Sequence, residues 1–508
     1  MNSSSTSRIA IPLNENKLKQ LSYLGLLLVA INKACMAREG IAYMSGSGSK
    51  GNPLTEFQKF LTKLALICDT VKGEYSRTMT ALVCLSGING PDYIFTSNFR
   101  KKAELEETKS FLSSLLTFVG TNPDSLMTKA LQKQVLWKIL VFNFAKLEFY
   151  LKALLGALDN CFDCERLRRL PDSEAIKQLQ FLKEKANFPP DITSSGGAQN
   201  KFLRDCEALI KAIQACKTGS FEKILQSRAV EKNADSADWC RLRHYLGRLH
   251  SYRQASEIIV AAATSWPDLF KNHRVDYVPS APTKYIPTPS SSNLSEIIPI
   301  AIPGHKASDF ESDIAQLEVH GLDNILQEQL QRRRLKTMVH GEVNLHNHLV
   351  QKGKTNSTDF WSGAMFIATS KPTCRLCHYY FDNSTNDFQV QSSHMNVYPK
   401  WRLPDIYEDQ GPETKEGYEE LLQDLIVQME HDMIQMLKRK EPRGKTNDSR
   451  TDSHSRVSTR ISFLGDGLRN IPSALVEEMQ AANRRLPSPP IEDDESYSDL
   501  GDTVGCAR

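Results

Sequence analysis

The sequence lacks an apolar run long enough to cross a bilayer: the longest, residues 23–31, spans about nine residues where a membrane helix needs roughly 20. No membrane partner is expected. A secretory pattern is also missing, because residues 1–20 are mostly polar and no small-residue cleavage site follows the apolar run. The chain is therefore expected to be intracellular, cytoplasmic or nuclear. Charge of one sign is lacking too, since 63 Lys plus Arg against 60 Asp plus Glu leave only +3, too little to mark a dedicated polyanion binder without a local patch. The 11 cysteines are odd in number and scattered, which fits reduced thiols and a metal site better than a disulfide framework. No fixed repeat period supports a solenoid. The glycine-rich stretch 45–51 is no P-loop: Ser49 separates Lys50 from the glycine, and Gly51-Asn52-Pro53 follows where Ser or Thr should open a helix.

At 508 residues the chain exceeds what one hydrophobic core serves, so two or three domains are expected. Residues 16–263 read as successive amphipathic helices, with apolar positions three and four apart in 54–71 and 131–158 and breaks at 44–53, 86–91 and 188–197. Residues 1–275 are accordingly expected to be all-α. Six prolines and a Ser triplet mark 276–304 as a linker. Beyond it the character changes. Residues 310–334 look helical, 364–369 suit a short buried strand, 388–391 alternate, and 397–404 form an aromatic, Pro-marked turn, so 305–410 are expected to pack as mixed α/β. A helix is expected over 411–440, on Leu421, Leu422, Leu425, Ile426, Met429, Met433, Ile434 and Leu437, ahead of a largely disordered tail at 441–508.

The chemistry concentrates in two motifs: His340-Gly341-Glu342 opening an amphipathic stretch, and Pro372-Thr373-Cys374-Arg375-Leu376-Cys377 following the apolar strand. One imidazole and two thiolates from His340, Cys374 and Cys377 would hold Zn2+ and leave its fourth position open, the arrangement of a catalytic site. Cys374 is expected at a helix N-terminus, where the dipole favours thiolate. Glu342, not a ligand, can take a proton from an activated water and deliver protons to a ring nitrogen and a leaving amine. Each motif alone arises by chance, and a second C-x-x-C stands at Cys161 and Cys164; the order of the two motifs about a strand is more restrictive.

Residues 339–345 and 367–377, with Ser393-His394 and 401–404, resemble the zinc-dependent cytidine-deaminase-like superfamily. They are most similar to its nucleic acid/nucleotide deaminase branch shared by fungi and intracellular bacteria and related to toxin-type deaminases. The resemblance implies an α/β/α three-layer deaminase-like domain with a mixed sheet, zinc on His340, Cys374 and Cys377, and Glu342 as proton shuttle. Two departures stand out: Thr373 separates the proline from the first cysteine, and the usual first hairpin is not identifiable ahead of His340.

Other readings remain open. Cys374-Arg375-Leu376-Cys377-His378 also spells a c-type haem attachment pattern or a thioredoxin-like redox pair. Cys161 and Cys164 read as ordinary helix cysteines, and His346 as a core histidine. His394, Trp401 and Ser370 are candidates for touching substrate or supporting the ligands, although Trp401 also suits core packing. The basic runs 332–336 and 438–440 could steer nucleic acid or simply be solvated helix ends. The expected substrate is an amino-substituted nucleobase, free or within a nucleotide or nucleic acid, and the helical half could bind a protein partner. The alternative is a non-catalytic interaction protein with a structural zinc in a degenerate deaminase fold.

Overall fold

The computed structural model describes residues 8–40, 53–71, 77–188, 196–231, 235–287, 293–330 and 334–444. The glycine-rich stretch 45–51, the basic residues Arg332 and Arg333, and most of the expected tail lie outside them. The chain starts with β1 (Ala10–Ile11), α1 (Glu15–Arg38) and α2 (Glu56–Ile67), and continues through β2 (Thr80–Ser86) and β3 (Pro91–Ser97). Seven helices follow: α3 (Lys102–Thr121), α4 (Thr128–Phe142), α5 (Phe144–Arg166), α6 (Ser173–Ala186), α7 (Gly196–Thr218), α8 (Ser220–Val230) and α9 (Ser236–Ser265). Next come β4 (Arg274–Tyr277), β5 (Lys284–Pro287), α10 (Leu294–Ala301), α11 (Glu311–Glu318), α12 (Leu322–Leu330) and β6 (Arg334–Thr337). The last group is α13 (Gly341–Gln351), β7 (Phe366–Thr369), α14 (Arg375–Asn383), β8 (Gln389–Val390), β9 (Ile406–Tyr407) and α15 (Pro412–Arg439).

Among the described residues the N-terminal half is helical apart from the short β1, the start of β4 and one hairpin, and that hairpin is what sequence reading missed. Residues 86–91, expected as a break between helices, are its turn: the Gly87 N–H donates to the Gly90 carbonyl at 3.0 Å. At Gly90, with φ +156°, a Cβ would lie 2.8 Å from the Asn272 carbonyl oxygen, so no larger residue fits there. The five-stranded sheet has the order β4-β3-β2-β7-β8. β2 runs antiparallel to both β3 and β7, while β3–β4 and β7–β8 are parallel, so the sheet is mixed. The seven helices α3 to α9 form the crossover between β3 and β4. The sheet thus draws strands from both sides of the stretch 276–304.

Successive side chains of a strand point to opposite faces, and here both faces are covered. Leu82, Cys84, Tyr93, Phe95, Phe366 and Ala368 join the core that runs through α2, α5 and α9. Ala81, Val83, Leu85 and Ile367 join a second core with α1, α13, α14 and α15. The result is an α/β/α sandwich. Residues 276–304 are structured where described: β5 pairs antiparallel with β6, and α10 continues through Pro299 with Ile297, Ile298 and Ala301 buried.

By length and composition α1 could cross a membrane, which its short apolar run did not foretell; 67% of its most apolar window is buried in the fold. It packs against α10, α12 and α15, and β1 pairs with β9, so the start of the chain belongs to the core on the α13 side. α15 is tied to α14 by Arg375, whose guanidinium lies 3.1 Å from Asp432 with both side chains buried.

Candidate metal centre

Two helices begin at the same place on the sheet. His340 is the extended residue just before α13, and Cys374 caps α14, its Sγ accepting the Cys377 N–H at 3.4 Å. Both motifs therefore sit in first turns, where unsatisfied amide groups and the helix dipole favour negative charge. His340 Nδ1 lies 3.5 Å from Cys374 Sγ and 3.3 Å from Cys377 Sγ. The three ligand atoms fall within 4.8 Å of one another, all buried, the one such group of ligands among the described residues. One imidazole nitrogen and two sulfurs form a borderline-soft donor set that fits zinc and is poor for magnesium or calcium. Burial opposes a thiolate at Cys374, but the Cys377 thiol and the His340 imidazole outweigh it and hold Cys374 well below the ordinary thiol range.

Glu342 follows on the first turn of α13, fully buried; neither carboxylate oxygen makes a well-formed hydrogen bond among the described residues, the Cys377 thiol and its own amide being the donors that bear on it. Burial pushes its pKa up, with the His340 imidazole opposing. It stands beside the three ligands without joining their cluster.

The hairpin reaches this site. Asn98, one residue past β3, accepts the Gly341 N–H at 2.8 Å and so fixes the backbone between His340 and Glu342. On the other side, Met338 bridges to Trp401, whose Nε1–H points at Cys377 Sγ at 3.3 Å. Trp401 therefore both packs in the core and touches an expected ligand. The family model described as "OTT_1508_deam:-like deaminase" matches residues 339–405. The match supports a deaminase-like domain over about an eighth of the chain and encloses His340, Glu342, Cys374 and Cys377. No curated protein and no solved structure matches the chain.

The remaining sequence candidates are placed as follows. His394 is buried, its N–H donating to the Thr373 carbonyl and its Nδ1 accepting the Asn396 N–H, so it braces the loop that carries Cys374. Tyr398, which sequence reading did not single out, links the two histidines: its ring lies 6.0 Å from His340 and 5.8 Å from His394. Ser370 accepts the Thr80 N–H at 3.2 Å and donates to Asp69 at 3.3 Å. His346 lies among the rings of Tyr380, Phe381 and Phe388, with Nδ1 2.8 Å from the Tyr380 hydroxyl. His378 pairs with Asp382 at 3.3 Å. Cys161 is buried in the helical core, on α5 with Cys164. Of the basic runs, Lys440 is paired with Asp313 at 2.5 Å and Lys336 lies over the Phe99 ring. Asn98 escaped notice because its partner is 243 residues away.

Proposed function

We propose that the chain is a zinc-dependent hydrolytic deaminase acting on an amino-substituted nucleobase, whether free, in a nucleotide or within a nucleic acid. The observation that carries this reading is Glu342: a fully buried carboxylate with no well-formed hydrogen bond, on the first turn of a helix whose preceding residue is the histidine of a His/Cys/Cys group. Burying such a group unpaired costs several kcal/mol in real proteins, roughly what a catalytic proton shuttle repays and a structural acid does not.

Zinc, when bound by His340 Nδ1 and the two cysteine sulfurs, supplies Lewis-acid activation of water. Glu342 takes the proton of the attacking water and returns it to the ring nitrogen of the base. It then carries the second proton to the departing amine, so that water and amino-base become oxo-base and ammonia. Asn98 holds the backbone that aims Glu342, and Trp401 donates to Cys377 and steadies its sulfur. Tyr398 and His394 are the side chains we assign to meet the substrate.

The test is zinc analysis of protein purified without added metal, together with a screen of bases, nucleosides, nucleotides and oligonucleotides for ammonia release. One zinc per chain is expected, lost in Cys374→Ser. Glu342→Gln should keep the zinc and lose release by about 10²- to 10⁴-fold. A folded, zinc-free native chain, or release unaffected by Glu342→Gln, would remove the reading.

A further inference from the structure

Between the two cysteines of the C-x-x-C lies a residue whose charge is wrong for its place. Arg375 opens α14, where the helix dipole disfavours a cation, is 1% exposed, and follows Cys374, a ligand suited to a metal cation. A buried guanidinium there must be compensated by the fold. Asp432 of α15 does so, accepting from Arg375 Nη1 at 3.1 Å. Asp432 also accepts from the Tyr379 hydroxyl, one turn along α14, and from Arg443 beyond α15, whose backbone N–H donates to Asn32 of α1 at 2.7 Å.

The other nitrogens of Arg375 face a turn that brackets Cys374. Ahead of the cysteine, the Thr373 carbonyl accepts from the Ser393 hydroxyl and from the His394 N–H, both at 3.0 Å. Behind it, Arg375 donates its backbone N–H to the Asn396 carbonyl and Nε to the Met395 carbonyl, again both at 3.0 Å. Four consecutive residues, 393–396, thus hold the two neighbours of one ligand. Met395 has φ +59°, a left-handed conformation that a residue with a long side chain keeps only where its surroundings enforce it. Within the turn, the Ser393 hydroxyl accepts the Met395 N–H at 2.9 Å and His394 Nδ1 accepts the Asn396 N–H at 3.1 Å. From outside, Arg375 grips the Met395 carbonyl. The same segment continues to Tyr398, beside His340, and to Trp401, whose N–H points at Cys377.

We propose that Arg375 is a positioning residue of the metal centre: held by Asp432, its guanidinium clamps the strained 393–396 turn against the backbone on both sides of Cys374 and so fixes where that sulfur stands relative to His340 and Cys377. The proposal rests on the zinc reading of the three ligands and adds α15, which lies outside the matched residues 339–405, to what holds them. An ion pair serving the fold alone needs only a charge at 375. The clamp needs two nitrogens at once, Nη1 on Asp432 and Nε on the Met395 carbonyl. Lysine keeps the charge but carries its donors on a single nitrogen, and cannot span the two partners.

The experiment titrates Co2+ and Zn2+ into the full chain freed of metal, reading the thiolate-to-cobalt charge-transfer bands and the zinc affinity by competition with a chelator, beside thermal unfolding of the metal-free chain. Arg375→Lys should keep the metal-free Tm close to native, weaken zinc about tenfold and shift the cobalt bands; Arg375→Met should weaken zinc about 100-fold. The methionine variant should still fold, because Asp432 keeps Tyr379 and Arg443 as partners. Tyr379→Phe takes a donor from Asp432 without touching the turn, and should leave the bands and the zinc affinity native. A merely structural ion pair gives the opposite pattern, a lowered metal-free Tm in Arg375→Met with native bands and affinity, and that result would overturn the proposal. So would losses of affinity in Tyr379→Phe equal to those in Arg375→Lys. A native chain that takes up neither metal removes the zinc reading and the clamp with it, whereas native uptake reproduced by both Arg375 variants removes the clamp alone.

Discussion

Asp69 and Glu342 are both carboxylates sealed from solvent, at 2% and 0% exposure, and the fold treats them in opposite ways. Asp69 is surrounded: Lys146 lies 2.7 Å from one oxygen, which also receives the Ser370 hydroxyl at 3.3 Å, and Thr78 donates to the other at 2.6 Å. Burial works against its charge, but Lys146 and Lys371 prevail and hold it well below the usual carboxylate range. Glu342 has only the Cys377 thiol and its own amide bearing on it, and neither makes a well-formed hydrogen bond to its oxygens. Burial alone therefore does not separate an acid that holds structure from one that works; completeness of its hydrogen bonding does. Asp69 joins the end of α2, helix α5 and the loop after β7, while Glu342 is left ready to exchange its proton.

The sharpest way to break this contrast is to remove each acid's defining feature. Glu342→Gln should cut ammonia release by about 10²- to 10⁴-fold while leaving the urea midpoint unchanged or higher, because nothing in the fold leans on its charge. Lys146→Met should do the reverse. It strands Asp69 in the core and should cost about 3–5 kcal/mol of stability by urea unfolding, with zinc content and turnover per folded molecule retained. The pH dependence follows from the same pair. Asp69 has a folded pKa below its ordinary value of 3.8, so its contribution is complete above about pH 4 and is lost as pH falls through the folded value. In Lys146→Met that acid limb should shrink, as a pH series of midpoints would show.

A smaller effect is expected at Trp401. Trp401→Phe keeps the ring in the core but removes the N–H aimed at Cys377, so zinc affinity should fall about 10- to 100-fold by competition with a chelator, with little change in the apo fold. An unchanged affinity would reduce Trp401 to packing alone.

What could be read in the sequence, and what could not, divides along contact range. His340, Glu342, Cys374 and Cys377 announce themselves because each motif is local and opens a helix. The first hairpin hides for two reasons. It lies far ahead of His340, and the sheet buries both its faces: β2, from Thr80 to Leu85, is one continuous buried run in which alternation between two cores leaves no polar trace. Gly87 to Gly90, flanked by the Tyr-Ile-Phe-Thr of β3, carry the turn signal, but between two helical stretches the same residues read equally as an interhelical break. Proline likewise misled at 276–304, because α10 tolerates Pro299 near its end. The partners of Asp69, namely Lys146 on α5, Thr78 ahead of β2 and Ser370 after β7, come from distant parts of the chain, which no window of sequence brings together.

Ser370 tests the comparison at its boundary. It sits four residues before Cys374 and resembles a site residue in sequence, yet its hydroxyl accepts from the Thr80 N–H and donates to Asp69. If it belongs to the Asp69 network, Ser370→Ala removes one donor from a carboxylate that keeps Lys146 and Thr78, and leaves one buried amide short of an acceptor. The loss should then be about 1 kcal/mol of stability, with zinc content and ammonia release per folded molecule unchanged. If it belongs to the metal centre, the same change should lower turnover at undiminished stability. Combining it with Lys146→Met separates the two: partners of one network are non-additive, so the double variant should lose less than the two single losses together, whereas independent sites should simply add.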